Sequence, residues 1–428
     1  MSELDAYLVV GGVAAGATFL LTFIVRFFAE RLGAVVQPDE RRVHLRPTPT
    51  AGGAGMFIAF LVAMVVASRL APFRDAGVFT SSSRALGVVL AAGVIFAVGL
   101  LDDLREVSAP AKVSGQVLAA TVLYFFGVTI LYFYVPFGGF LILSLDLIPL
   151  ATVLWVVVIA NAVNIIDGLD GLAAGIVAIA SAAFFVYARQ LLGVGLIEAD
   201  SIAPLLAAIA CGVCVGFLPH NVHPARIFMG DAGAMLLGLL LAASTMLVGG
   251  NTPGDQFSGQ TFFFYAPVLI PFVILGVPII DTVFAVIRRA ARRKNLSSAD
   301  KEHLHHRLMR LGHGHRRSVA ILWLWTAILS GLVLYPTITN RGNAVIPAGV
   351  AALAVLLYTL FHPGIRQARA GGRGEVPDEL DEVIEIAAVD GEHDDALPAA
   401  PILPIAAASP ASAPSAPTAP ERDTGGGR

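Results

Sequence analysis

The stretch of sequence that decides the fold is residues 150–188, which read LATVLWVVVIANAVNIIDGLDGLAAGIVAIASAAFFVYA. Two apolar runs, 150–166 and 171–188, are each long enough to cross a bilayer as a helix, which takes about 17–25 residues. Four polar residues recur at every third position where these runs meet: Asn161, Asn164, Asp167 and Asp170. Carboxylates and amides are costly in a membrane and are retained mainly where they face a cavity or carry chemistry. The stretch therefore predicts two membrane helices joined at a polar site.

The rest of the chain repeats this alternation of apolar runs and polar clusters. Its 428 residues are 56% hydrophobic and 14% charged, with a mean hydropathy of +0.77, whereas a soluble domain carries about 25% charged residues. We therefore predict an all-α integral membrane protein. Residues 133–149 are apolar but contain Pro136, Gly138 and Gly139, which favours a short re-entrant or hairpin segment over a further span. Eleven spans are expected, at about 6–28, 50–68, 85–101, 113–132, 150–166, 171–188, 202–218, 233–249, 263–287, 318–338 and 344–361.

The placement of Lys and Arg predicts the orientation of these spans. With eleven spans, one set of loops holds seventeen basic residues, ten of them between Arg288 and Arg317, and the opposite set holds five. The positive-inside rule places the richer set in the cytoplasm, the N-terminus outside and the C-terminus inside. All the polar clusters then face the cytoplasm, in a multi-pass protein of the plasma membrane.

The last part of the chain differs in composition from the rest. After residue 362 come an acidic block and then an Ala/Pro/Ser-rich run, which cannot bury enough apolar surface to fold. We expect a membrane domain over 1–362 and a disordered cytoplasmic tail over 363–428.

Carboxylates at the ends of apolar runs indicate phosphate or metal chemistry. Asp102 and Asp103 follow one run, and Asp231 lies between Gly230 and Gly233 at the start of another. Mg²⁺ takes oxygen ligands and shares its coordination shell with substrate phosphates, so these aspartates are candidate ligands, although a solvated loop start also explains an Asp pair. Zinc binding by His220 and His223 is disfavoured, because no third ligand accompanies them in sequence.

Two basic loops add residues that suit a phosphate-bearing ligand. The loop over 41–53 reads RRVHLRPTPTAGG and contains His44. The loop over 288–317 combines arginines with an H-L-H-H motif at 303–306. A positive-inside loop explains the arginines but does not call for three histidines in four positions.

The order of these motifs resembles one family. Asp102-Asp103, the N-x-x-N-x-x-D-G-x-D-G run from Asn161, P-A-R-I-F-M-G-D-A-G at 224–233 and H-L-H-H at 303–306 are similar to the polyprenyl-phosphate N-acetylhexosamine-1-phosphate transferases (glycosyltransferase 4), in their WecA-like N-acetylglucosamine branch. The resemblance covers about 40–310. It implies transfer of a sugar 1-phosphate from a UDP-N-acetylhexosamine to a membrane polyprenyl phosphate, with release of UMP and a requirement for Mg²⁺, or Mn²⁺ as an alternative.

The resemblance also implies roles for individual residues. Asp231 is the expected metal ligand, with Asp102 and Asp103 beside it, and Asp167 joins these three in the catalytic set. The implied substrate-binding residues are His44, Lys112, Asn161, Asn164, Asp170, Asn221, Arg226, His303, His305, His306 and Arg307. Lys112 would face the pyrophosphate and Asn221 the uridine. A homodimer is compatible with this assignment, and no nucleic-acid partner is expected.

Two alternatives stay open at this point. The same chemistry serves with another UDP-N-acetylhexosamine or with a UDP-MurNAc-pentapeptide donor. A secondary transporter belongs to a different class, but transporters place polar groups near the midplane of broken helices and contain internal repeats. This chain gathers its polar groups at helix ends, so we expect an enzyme.

Overall fold

The computed structural model describes residues 1–32, 35–36, 47–105, 107–135, 139–249, 308, 313–339 and 345–361. Most of these residues are helical. The helices are α1 (Glu3–Leu32), α2 (Gly52–Arg69), α3 (Ala71–Asp75), α4 (Arg84–Arg105), α5 (Ala109–Phe125), α6 (Leu147–Ile166), α7 (Leu172–Gly193), α8 (Ala203–Asn221), α9 (Gly230–Gly249), α10 (His315–Thr339) and α11 (Val345–Phe361). Two antiparallel strand pairs join β1 (Val35–Val36) to β2 (Thr48–Pro49) and β3 (Tyr132–Val135) to β4 (Gly139–Ile142).

The helices form a multi-pass membrane protein. Within the described ranges, eight helices are long and apolar enough to cross a bilayer: α1, α2, α4, α6, α7, α8, α9 and α10. Two more predicted spans, at 113–132 and 344–361, overlap α5 and α11, which have 17 residues each. α5 ends at Phe125, before the predicted end of that span. The predicted span over 263–287 lies outside the described residues, as does the proposed tail over 363–428. The count of eleven and the domain boundary at 362 therefore stay predictions.

The apolar segment after α5 turns back on itself. Strands β3 and β4 pair in antiparallel register, with Tyr132 opposite Ile142 and Val135 opposite Gly139. This agrees with the hairpin predicted for 133–149, where Pro136 lacks the N–H group that a helix interior needs. α6 then begins at Leu147.

Helix α9 lies at the centre of the bundle. It is almost entirely buried and packs against α2, α4, α6 and α8. Glycines let the backbones approach closely: Gly99 of α4 contacts Ala232, and Gly238 of α9 contacts Ala160 of α6. A Cβ at either glycine would lie 2.5 Å from the neighbouring Cα, closer than real Cβ contacts. This packing fixes the position of the first turn of α9, which carries Asp231.

Candidate active site

Three of the four polar clusters meet at one end of the bundle. The end of α4, the α6–α7 turn and the start of α9 are brought together there, with the 222–229 loop beside them. Backbone bonds tie this loop to the first turn of α2 and to β2: the Gly53 N–H donates to Met229 O at 2.8 Å, and the Phe228 N–H donates to Pro49 O at 2.9 Å. The fourth cluster, which contains His303, His305, His306 and Arg307, lies outside the described residues, and so does His44.

A lysine joins two of the predicted carboxylates. Lys112, in the first turn of α5, places its Nζ 2.7 Å from Asp102 Oδ2 and in contact with Asp231 Oδ2. Asp102 Oδ1 also accepts a hydrogen bond of 2.7 Å from the Val107 N–H. The three charged side chains are only 16–24% exposed. Two carboxylates and one ammonium group thus share a partly desolvated pocket.

Asp103 points to a different neighbour. Its Oδ1 accepts a hydrogen bond of 2.7 Å from the Asp231 N–H, and its Oδ2 accepts one of 3.2 Å from the Ala232 N–H. The first N–H groups of a helix have no partner within the helix, so Asp103 caps α9 from another helix. Gly230 has φ +69°, and a Cβ there would clash with the Asp103 carboxylate. The two neighbouring aspartates therefore have different partners: Asp102 contacts Lys112, and Asp103 binds the backbone that carries Asp231.

A buried amide pair lies one helical turn deeper. Asn161 Nδ2 donates to Gln116 Oε1 at 2.7 Å and to Val157 O at 2.7 Å. Gln116 is fully buried and follows Lys112 by four residues on α5, and its Nε2 also contacts Met235 Sδ at 3.3 Å. Sequence reasoning placed Asn161 in substrate binding and omitted Gln116. The signal was available, since a fully apolar environment does not explain a glutamine in the middle of a predicted span.

Asp167 and Asp170 lie in the α6–α7 turn in opposite electrostatic environments. Burial, reinforced by the nearby Asp231 and Asp103 carboxylates, raises the pKa of Asp167 well above its usual range. Partial burial also acts to raise the pKa of Asp170. Hydrogen bonds from His223 and from the Ala225 N–H outweigh that effect and hold the pKa of Asp170 below its usual range.

Asn221 holds two backbone segments together. Its Oδ1 accepts a hydrogen bond of 3.0 Å from the Gly171 N–H, and its Nδ2 donates to Ile227 O at 3.0 Å. The residue is 2% exposed. Its predicted contact with uridine stays a prediction, while its bonds give it a structural role at the same site. Arg226 is exposed on the adjoining loop, and Asn164 is half-buried near the end of α6.

Comparison with known proteins identifies the family. The sequence model of glycosyl transferase family 4 matches residues 85–249, which run from α4 through α9. A decaprenyl-phosphate N-acetylglucosaminephosphotransferase of Mycolicibacterium smegmatis is 38% identical over 371 residues, covering 85% of this chain and 90% of the relative. The chain belongs to glycosyl transferase family 4.

Other members of glycosyl transferase family 4 are similar to different degrees. A probable undecaprenyl-phosphate N-acetylglucosaminyl 1-phosphate transferase of Bacillus subtilis is 38% identical over 312 residues, covering 73% of this chain and 79% of the relative. A phospho-N-acetylmuramoyl-pentapeptide-transferase of Clostridioides difficile is 29% identical over 319 residues, covering 70% and 87%. The family match at 85–249 contains every predicted catalytic aspartate together with Lys112 and Gln116.

Proposed function

We propose that the protein transfers N-acetylglucosamine 1-phosphate from UDP-N-acetylglucosamine to a polyprenyl phosphate, releasing UMP and starting a lipid-linked cell-envelope glycan. Five relatives that carry N-acetylglucosamine in their names are 37–39% identical over 73–85% of the chain, and another is 29% identical over 68% of it. Two relatives named phospho-N-acetylmuramoyl-pentapeptide-transferase are 29% and 33% identical. This difference supports the N-acetylglucosamine donor over the alternative one.

The observation that carries the proposal is the contact of Lys112 with both Asp102 and Asp231 at the end of a membrane bundle. The reaction brings together the pyrophosphate of one substrate and the phosphate of the other, and these anions repel each other. A fixed ammonium group in a partly desolvated pocket offsets that repulsion and stabilises charge that develops during transfer. Lys112 is therefore assigned to the pyrophosphate.

The residues present suit Mg²⁺, or Mn²⁺ as an alternative. Asp102 and Asp231 offer oxygen ligands only, which is the set these ions prefer. The Lys112 ammonium lies in contact with both carboxylates, and this supports a cation-binding role for the pair. When bound, the metal ion would polarise a phosphoryl oxygen. Both oxygens of Asp103 accept bonds from α9, so we assign Asp103 to holding Asp231 and not to the metal.

Asp167 is assigned as the base for the lipid phosphate. A phosphate monoester has a second pKa near 6, so proton removal is an easy task at neutral pH. A deprotonated carboxyl with a raised pKa takes up a proton more readily than an ordinary one, and the Asp231 and Asp103 carboxylates are close enough to raise the pKa of Asp167. Asp102 is less suited, because Lys112 and the Val107 N–H engage both its oxygens.

The proposal includes an orientation of the protein in the membrane. We place the site at the cytoplasmic face of the plasma membrane, in a protein of eleven spans with the N-terminus outside. The seventeen basic residues on the site's side, against five on the other, support this orientation. A site at the helix ends is also unlike a transporter's midplane site.

The test uses the purified full chain with Mg²⁺, a polyprenyl phosphate and radiolabelled UDP-N-acetylglucosamine. We expect UMP release matched by labelled lipid, and loss of both with EDTA. Turnover with UDP-MurNAc-pentapeptide alone would establish the alternative donor. Product with another UDP-N-acetylhexosamine alone would establish that donor instead. No product with any of these donors would refute a transferase.

A further inference from the structure

A second cluster lies at the same end of the bundle. It consists of Asp170 from the α6–α7 turn, His223 from the 222–229 loop and His315 from the first turn of α10. One ligand atom from each residue lies within 4.8 Å of the other two. The three pairs are 53, 92 and 145 positions apart in the sequence, so only the tertiary fold brings these residues together.

The three side chains are held in place by their surroundings. Asp170 Oδ2 lies 2.7 Å from His223 Nδ1 and accepts a second hydrogen bond of 3.0 Å from the Ala225 N–H. The rings of His223 and His315 stack with their centroids 4.0 Å apart and 23° between their planes. Asp170 and His223 are 11% and 19% exposed. Imidazole nitrogens bind a metal in the plane of the ring, so a tilt of one ring out of this stack would let both imidazoles bind one ion.

The donor set differs from that of the Lys112 pocket. Two imidazole nitrogens and one carboxylate form a mixed set that suits zinc and related transition metals, whereas Mg²⁺ prefers oxygen alone. Bonds of about 2.0–2.2 Å to a tetrahedral ion place ligand atoms roughly 3.3 Å apart. The ligand atoms of the cluster lie within 4.8 Å of one another, which is close to this spacing.

We propose that Asp170, His223 and His315 form a binding site for a zinc-type divalent transition metal. In the metal-free protein a proton lies between Asp170 and His223, and the metal takes its place, since imidazole and carboxylate ligands bind metals in their deprotonated forms. The ion ties the α6–α7 turn, the 222–229 loop and the start of α10 to one another. It is separate from the proposed Mg²⁺ ligands, so its failure would leave the transferase proposal standing.

The experiment uses the full chain in detergent, with any affinity tag removed, because tag histidines bind zinc. Metal content is measured by mass spectrometry after dialysis against limiting Zn²⁺, and thermal unfolding is followed with Zn²⁺ or Mg²⁺ added. We expect about one zinc per chain and an unfolding midpoint raised by Zn²⁺ but not by Mg²⁺. His223→Gln and His315→Gln each weaken Zn²⁺ binding at least about tenfold.

Two control variants separate this site from other histidines. His220→Gln should keep the zinc, because His220 Nε2 lies 3.0 Å from Phe19 O and outside the cluster. His315→Cys should also keep it, since a thiolate replaces the imidazole as a zinc ligand. Zinc that persists in both Gln variants, or that disappears only when His303, His305 and His306 are replaced together, would overturn the proposal. A protein without zinc and without stabilisation by Zn²⁺ would overturn it as well.

Discussion

The charged side chains at the two ends of the bundle differ in how far they are exposed to solvent. At one end, Arg189 contacts Glu3 at 2.7 Å and Arg84 contacts Glu198 at 3.0 Å, and the two glutamates are 62% and 70% exposed. At the other end, Lys112 joins Asp102 and Asp231 with all three at most 24% exposed.

Exposed ion pairs stabilise a protein by about 0–1 kcal/mol, whereas withdrawing charges from water is costly unless they are paired. The second arrangement brings two carboxylates to one ammonium group in a pocket that stability alone does not require. The difference indicates that one end serves the fold and the other serves chemistry.

Replacement of Asp231 should give the largest effect. Asp231→Asn removes the carboxylate that contacts Lys112. It keeps the backbone N–H that donates a hydrogen bond to Asp103. We expect turnover to fall at least about 100-fold, the scale on which one electrostatic group is lost from an active site. UMP release measures this loss. Glu198→Gln, at the opposite end, is the matched control. Wild-type turnover by Asp231→Asn would contradict the assignment of Asp231 to the active site.

Replacement of Lys112 should separate the roles of lysine and metal. Lys112→Gln leaves Asp102 and Asp231 without their ammonium partner. We expect turnover at least about tenfold lower together with greater thermal stabilisation by Mg²⁺, because two unpaired carboxylates attract a cation more strongly. Thermal unfolding with and without MgCl₂ measures this. If Mg²⁺ stabilises the variant no more than wild type, the lysine and the metal do not share a position.

Substitution of Gly230 tests the cap on α9. Gly230→Ala forces a side chain into a backbone with φ +69° and against the Asp103 carboxylate. We expect a loss of about 1–3 kcal/mol in stability and a fall in kcat, because the first turn of α9 shifts. Gly16→Ala in α1 is the control, since a Cβ there meets no atom within 4 Å. Equal unfolding temperatures for the two variants would argue against the cap.

The two aspartates of the α6–α7 turn should shift stability with pH in opposite directions. The raised pKa of Asp167 means that its stabilising effect is present in acid, below the unfolded value of about 3.9, and is lost as the pH rises through the folded pKa. Asp167→Asn should therefore match wild type in acid and unfold at a higher temperature than wild type near neutral pH.

The lowered pKa of Asp170 predicts the opposite dependence of stability on pH. Its contribution is present above the unfolded value of about 3.9 and is lost as the pH falls through the folded pKa. Asp170→Asn should unfold at a lower temperature than wild type at neutral pH, and the gap should narrow in acid. The unfolding temperatures of both variants and of wild type are measured across pH. The same pH dependence for the two variants would contradict the opposite pKa shifts of Asp167 and Asp170.

The smallest effect is expected at the opposite end. Glu198→Gln breaks an exposed pair with Arg84 and should change stability by no more than about 1 kcal/mol. Salt should weaken even that difference. A larger loss, measured by thermal unfolding, would show that this end is more than an exposed surface.

Much of the fold could be predicted from the sequence because a bilayer restricts the choices. Apolar runs of sufficient length become helices, since no water is available to the backbone. The residues on either side of 136–138 pair as β3 and β4, in agreement with the predicted hairpin. The meeting of the clusters at one end follows from the alternation of helix direction. Gln116 was not predicted as a site residue, because an uncharged amide inside an apolar run is a weaker signal than a charged residue.

The sequence by itself determined the membrane class, the family and the candidate site residues, because hydropathy and the order of motifs can be read along the chain. Only the tertiary structure decided how those residues divide their work. Consecutive residues on a helix point about 100° apart, so Asp102 reaches Lys112 while Asp103 reaches the first turn of α9. The approach of His315 to Asp170 and His223 depends in the same way on how distant segments pack, which no spacing along the chain records.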